Sequence, residues 1–111
     1  MLSCGADGKH VYFGVWEDLS DRFPIDLMRG YVGFTETWEA RPLSRIERVD
    51  VATKKHEILF EEKYWISHIN LSPTDPNRMT YCHEGPWNRV DHRIWGLDIS
   101  SGKTWKIRPC S

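Results

Sequence analysis

An all-β fold built from repeated four-stranded antiparallel units is predicted by three features of this 111-residue sequence. Short runs rich in β-branched and aromatic residues alternate with turn-forming residues. One of these runs recurs at a fixed offset. Aromatic side chains are dense, with six Trp, four Tyr and four Phe, more than a chain without a packed core would carry. The charge is nearly balanced, 15 basic against 16 acidic residues. That leaves neither the basic excess that displaces counterions from nucleic-acid phosphates nor a patch suited to an anionic membrane, so neither partner is expected.

Taken in order, the predicted strands are Val11 to Trp16, Ile46 to Val51, Glu57 to Phe60, Ile66 to Leu71, Met79 to Cys82, Ile94 to Ile99 and Thr104 to Ile107. Each is bounded by Gly, Pro, Asp, Asn or Ser. In the sixth run Trp95, Leu97 and Ile99 share one face, and Ser100-Ser101-Gly102-Lys103 supplies a turn into the seventh, giving a hairpin with one face to bury. The alternation breaks between Glu17 and Glu36, where Glu17-Asp18-Leu19-Ser20-Asp21-Arg22-Phe23-Pro24 reads as an inserted loop and Ile25 to Arg29 as a short helix. Such an insertion is either a solvated surface loop or one that carries function.

The segment Arg45-Ile46-Glu47-Arg48-Val49-Asp50-Val51-Ala52-Thr53 overlays Arg93-Ile94-Trp95-Gly96-Leu97-Asp98-Ile99-Ser100-Ser101 at an offset of 48 residues, and Lys55 matches Lys103. Upstream, Asp7-Gly8-Lys9 resembles Asp75-Pro76-Asn77 as a turn feeding a strand. That offset is 68, so the first unit holds the extra residues of the insertion. A period of about 40 to 50 residues with about four strands per unit is the signature of β-propeller blades. The first blade is expected over 1–63, partial and carrying the inserted loop 17–36, and the second over 64–111. A closed propeller needs about four to eight blades, so two imply a fragment of a larger one. In this reading the Asp7-Gly8 turn leaves no room for an earlier strand, and open blade edges suit self-assembly.

Cys4, Cys82 and Cys110 are odd in number and form no CxxC pair, so neither a disulfide scaffold nor a zinc knuckle is indicated. The first residues lack a basic segment followed by an apolar one, and the expected setting is a reducing cytoplasm.

Chemistry-bearing residues concentrate between Ser67 and Arg93, where three of the five histidines fall. Imidazoles suit proton transfer near neutral pH, and an arginine fork suits a carboxylate. Each residue has a bland alternative. His83-Glu84-Gly85-Pro86 also reads as a strand exit, His68 as a satisfied polar group beside a buried strand, and Arg93 as a solvated strand start. Trp87, Trp95 and Trp105 suit packing between blades, with Trp87 the best placed for stacking on a sugar. Glu84 and Asp91 invite comparison with a glycosidase carboxylate pair, but their sequence separation says nothing about their distance in space. His10 and His56 read as exposed turn residues, and His92 receives no role.

Tyr81-Cys82-His83-Glu84-Gly85-Pro86-Trp87 followed by Val90-Asp91-His92-Arg93-Ile94-Trp95 closely resembles the signature of the oligogalacturonate lyases, a polysaccharide lyase family built on a seven-bladed β-propeller. Ser67-His68-Ile69-Asn70-Leu71-Ser72-Pro73 and the strand pair from Asp98 to Lys106 look like the same family, and the likeness is specific over Tyr64 to Pro109. The resemblance implies cleavage of short oligogalacturonides, typically digalacturonate, by β-elimination during pectin breakdown in the bacterial cytoplasm. It places Arg93 at the catalytic site, binding the substrate carboxylate and stabilising the charge that develops on it. His83, His68 and Trp87 would then contact substrate at the rim. The family's general-base histidine and its manganese ligands are expected on later blades. No metal ligand is therefore transferred to this chain, which alone is expected to be a poor lyase. A non-catalytic propeller segment that binds an acidic sugar or a protein partner is the competing expectation.

Overall fold

The computed structural model describes residues 2–5, 7–28 and 30–107, Leu2 by its backbone only. In chain order the elements are β1 (Leu2–Cys4), β2 (His10–Trp16), α1 (Phe34–Ala40), β3 (Leu43–Asp50), β4 (His56–Lys63), β5 (Ile66–Leu71), β6 (Arg78–His83), β7 (Ile94–Asp98) and β8 (Thr104–Lys106). They build two four-stranded sheets, β1-β2-β3-β4 and β5-β6-β7-β8, antiparallel throughout and with neighbours in sequence always neighbours in space. Among the described residues no helix is long and apolar enough to cross a membrane.

The repeat has a physical cause in its turns. Asp50 Oδ1 accepts hydrogen bonds from the backbone N–H groups of Ala52 and Thr53, both at 2.9 Å. Forty-eight residues on, Asp98 Oδ1 does the same for Ser100 and Ser101, at 3.0 and 3.2 Å. These Asx turns close the β3–β4 and β7–β8 hairpins, and hydrogen bonding to the carboxylates holds both below the usual Asp range. The upstream turn repeats as well: Lys9 N–H donates to Asp7 Oδ1 and Asn77 N–H to Asp75 Oδ1, each at 2.9 Å.

The sheets stack through a core of Tyr12 and Ile46 from the first with Ile66, Ile69, Met79, Tyr81 and Leu97 from the second, all at most 3% exposed. One buried hydroxyl ties the sheets at their crossover. Ser44 Oγ on β3 donates to the Tyr64 carbonyl at 2.6 Å and accepts from the Ile66 N–H at 3.2 Å.

Two expectations need correction. A strand does precede the Asp7-Gly8 turn: β1 pairs with β2 from Leu2↔Phe13 to Cys4↔Val11, because a tight reversal with Gly8 at φ 68° and a Gly5 N–H to His10 carbonyl bond suffices to connect them. The helix of this region lies instead at Phe34–Ala40, beginning in the last residues of the expected insertion and running past its end. Of the expected helix, Ile25–Met28 is not helical, and Arg29 lies outside the described residues. Asp26 and Val32 instead exchange backbone hydrogen bonds at 2.9 and 3.0 Å around a reversal in which Gly30 and Tyr31 take positive φ. Trp105 packs over Gly96 on the neighbouring strand of its own sheet, where a Cβ would lie 2.3 Å from the indole. Cys4 and Cys82 are free, and Cys110 lies outside the described residues.

Candidate functional site

At one end of β5 and β6 the second sheet departs from regular pairing. Ser67 pairs with Cys82 and Asn70 with Thr80, so a bulge falls at His68 and Ile69. His68 adopts φ 50°, a left-handed conformation uncommon for a residue with a Cβ, and its side chain stands 64% exposed beside the loop that leaves β6. That loop begins with Glu84, whose N–H donates to the Trp65 carbonyl at 2.7 Å. Arg93, just before β7, reaches back to it, donating from Nη1 to Glu84 Oε1 at 3.3 Å and from Nη2 to the Gly85 carbonyl at 3.0 Å.

These residues line a cavity of about 520 Å³ together with Tyr31, Phe34, Pro86 and Trp87. Two walls are aromatic, Trp87 from the loop between β6 and β7 and the edge-packed Tyr31–Phe34 pair, 5.6 Å between ring centres, from the inserted segment. The polar floor carries Glu84, His68 and Arg93, the arginine 39% exposed. A concave site of this size with apolar walls and a few convergent polar groups suits a small polar ligand with a flat face.

The inserted segment is held over the site by a close fit. Trp38 on α1 sits on Gly85, where a Cβ would come within 2.2 Å of the indole, so only glycine admits the contact. The Trp38 indole N–H donates to the Tyr64 hydroxyl at 3.0 Å, and the guanidinium groups of Arg41 and Arg89 each stack on the ring at 4.5 Å.

His83 lies apart from the cavity wall, 3% exposed and stacked on Tyr64 with 3.9 Å between ring centres. Its Nδ1 meets Asp91 Oδ1 at 2.8 Å and its Nε2 meets Glu62 Oε1 on β4 at 2.6 Å. Burial works against the imidazolium, but hydrogen bonds and charge from Glu62 and Asp91 outweigh it and raise the His83 pKa. Burial likewise opposes the Asp91 carboxylate, and the bonds from His83 and the His92 N–H outweigh that and hold Asp91 low. The result is an imidazole clamped between two carboxylates across the sheet junction, an arrangement that favours its protonated form.

Of the residues singled out from sequence, His68, Trp87 and Arg93 therefore meet at one cavity, and His83 does not reach its wall. Glu84 and Asp91 engage different partners. His92 is buried, its Nε2 donating to the Ile107 carbonyl at 2.8 Å. His10 is a strand residue between Asp7 and Asp50, less exposed than a turn position implies. Sequence reasoning missed Tyr31 and Phe34, whose place across the cavity depends on the fold, and the central position of Glu84, for which the only local signal was its place in the His-Glu-Gly-Pro run. Among the described residues no three His, Cys, Asp or Glu side chains converge as a metal site.

Paired four-stranded antiparallel meanders carrying a rim cavity define two adjacent blades of a β-propeller. Comparison with known proteins gives the family. The sequence matches the oligogalacturonate lyase family over residues 18–109, and the chain belongs to that family. It is 33% identical over 75 residues to the oligogalacturonide lyase of Pectobacterium atrosepticum and 31% identical over 75 residues to the oligogalacturonate lyase of Dickeya dadantii. Each alignment takes in 68% of this chain and 19% of the relative, so the chain spans about a fifth of the length of these relatives. The whole chain superimposes on 28% of a solved oligogalacturonate lyase in complex with manganese, with a TM-score of 0.84 and 24% identity. It also superimposes on 28% of the Vibrio parahaemolyticus oligogalacturonate lyase, with a TM-score of 0.81 and 22% identity.

Proposed function

We propose that this chain provides the substrate-carboxylate site of an oligogalacturonate lyase that cleaves short oligogalacturonides by β-elimination in the cytoplasm. The observation that carries the reading is the Arg93 guanidinium, anchored on Glu84 and Gly85 yet partly exposed in a cavity with aromatic walls. The anchoring uses two N–H groups and leaves the rest of the fork for a ligand.

The chemistry explains why such a group is needed. A base takes the C5 proton, α to the uronate carboxylate, the C5–H electrons form the C4=C5 double bond, and the C4–O bond breaks with protonation of the leaving oxygen. Negative charge gathers on the carboxylate as the proton leaves, and a fixed guanidinium stabilises that charge more than the ground state. Trp87, Tyr31 and Phe34 offer faces for the apolar side of a sugar ring. His68 is placed to hydrogen-bond the sugar. His83, buried and with both ring nitrogens engaged, supports the rim from beneath and is not assigned a substrate contact.

A manganese-bound relative makes the metal part of this reading, supplying Lewis-acid stabilisation of the carboxylate when bound. The described residues do not form its ligand set, and no step on this chain is routed through it.

The test exchanges this segment for its counterpart in the Pectobacterium relative and follows digalacturonate turnover through the ultraviolet absorbance of the unsaturated product. Arg93→Ala is expected to lower kcat/KM by about a hundredfold or more, as removal of a charge-stabilising donor does. His56→Ala, on the exposed start of β4, leaves it unchanged. Equal effects of the two substitutions would remove Arg93 from the site. Digalacturonate binding without turnover in the exchanged protein would instead favour a non-catalytic acidic-sugar module.

A further inference from the structure

We infer that Glu84 is the positioning residue of this site, a single carboxylate that holds Arg93 in its substrate-facing geometry and holds His68 beside it. The inference rests on the carboxylate-binding role of Arg93 and adds to it a specific cause for the arginine's orientation.

Each Glu84 oxygen has two partners. Oε1 accepts from the Gly85 N–H at 3.1 Å and from Arg93 Nη1 at 3.3 Å. Oε2 accepts from the Ser67 hydroxyl at 2.8 Å and lies 3.3 Å from His68 Nε2. The side chain is only 15% exposed, so it is fixed by these contacts and has little water to exchange for them. Ser67 and the Gly85 N–H belong to the sheet and the loop that leaves it, whereas Arg93 and His68 are the two longer, rotatable side chains of the cavity floor. The carboxylate thus transmits the position of the sheet to the two groups that face a ligand.

Electrostatics and geometry oppose each other here, which makes the role testable. A carboxylate next to Arg93 weakens the site's attraction for an anionic sugar, so its charge alone is a cost to binding. Its value is geometric, because an arginine already held in place loses less side-chain freedom when it grips a carboxylate.

Two measurements on the 111-residue chain separate these effects. The first needs no ligand: nitrogen-detected NMR of the Arg93 guanidinium. Restricted rotation, seen as resolved Nη resonances, is expected in the parent and in Glu84→Gln, and averaged resonances in Glu84→Ala. Averaging in the parent, or no change in Glu84→Ala, overturns the inference whatever the chain binds.

The second is digalacturonate affinity by calorimetry. Glu84→Gln keeps the shape and loses the charge, and is expected to bind at least as tightly as the parent. Glu84→Ala is expected to bind about five- to tenfold more weakly than Glu84→Gln, and this difference vanishes in an Arg93→Ala background. Equal affinities of the Gln and Ala variants, or a difference that survives loss of Arg93, overturn the positioning role. If Arg93→Ala alone leaves affinity unchanged, or the parent does not bind, the carboxylate-site reading fails instead. Circular dichroism of the variants distinguishes lost binding from lost fold.

Discussion

At the scale of single residues, the clamp around His83 makes stability depend on pH in both directions. Its pKa is raised in the fold, so the stabilisation is complete below the ordinary histidine value of about 6.5 and is lost as pH climbs through the raised value. Asp91 is held low, so its contribution is present above the ordinary Asp value and is lost as pH falls through the depressed one. Thermal melts of the parent and His83→Gln should therefore differ most in mildly acidic solution and converge as pH rises. A constant difference across that range would mean that His83 contributes through its packing on Tyr64 and not through its charge. The same residue shows the reach of sequence reading. A histidine between Cys82 and Glu84 is visible as chemistry, yet its partner Glu62 belongs to the other sheet, and no local pattern announces that pairing.

Among the elements, the two hairpin turns offer an internal comparison. Gly102 takes φ 74° in the second blade, and at the equivalent place in the first Lys54 takes φ 60°, a conformation that crowds its Cβ. Lys54→Gly should raise stability by about 0.5–1 kcal/mol, less than the full steric relief because glycine gains freedom in the unfolded chain. A chemical denaturation midpoint moving downward would contradict this. Gly85 predicts the opposite. Gly85→Ala places a methyl inside the Trp38 indole, so α1 must lift from the rim, and destabilisation of about 1–3 kcal/mol is expected with a change in Trp fluorescence. The strands were legible from alternation and turn residues because both are local. The helix at Phe34–Ala40 was not, because its stability comes from Trp38 and Phe34 packing on Tyr64 and Trp65, which lie far along the chain.

For the whole molecule, the junction of the two sheets depends on a few buried groups. Ser44→Ala removes both hydrogen bonds that its hydroxyl makes to Tyr64 and Ile66 and should cost about 1–3 kcal/mol. The loss should appear as one cooperative transition at a lower midpoint, since Tyr12, Ile46, Ile66 and Leu97 form one core. Two separate transitions would show that the blades unfold independently.

The sequence by itself determined the all-β class, the blade repeat and the family resemblance. Each of these is written in local order: side chains alternating with period two, an Asp at each repeated turn that must cap N–H groups, and a contiguous signature around His83 and Arg93. Only the tertiary structure decided which of those residues share a site. It brought Arg93, His68 and Trp87 together, placed Tyr31 and Phe34 opposite them, centred Glu84 beneath them and withdrew His83 into the junction. The reason is that a cavity is formed by segments distant in sequence, and their meeting depends on side-chain packing such as Trp38 on Gly85, which no single segment encodes.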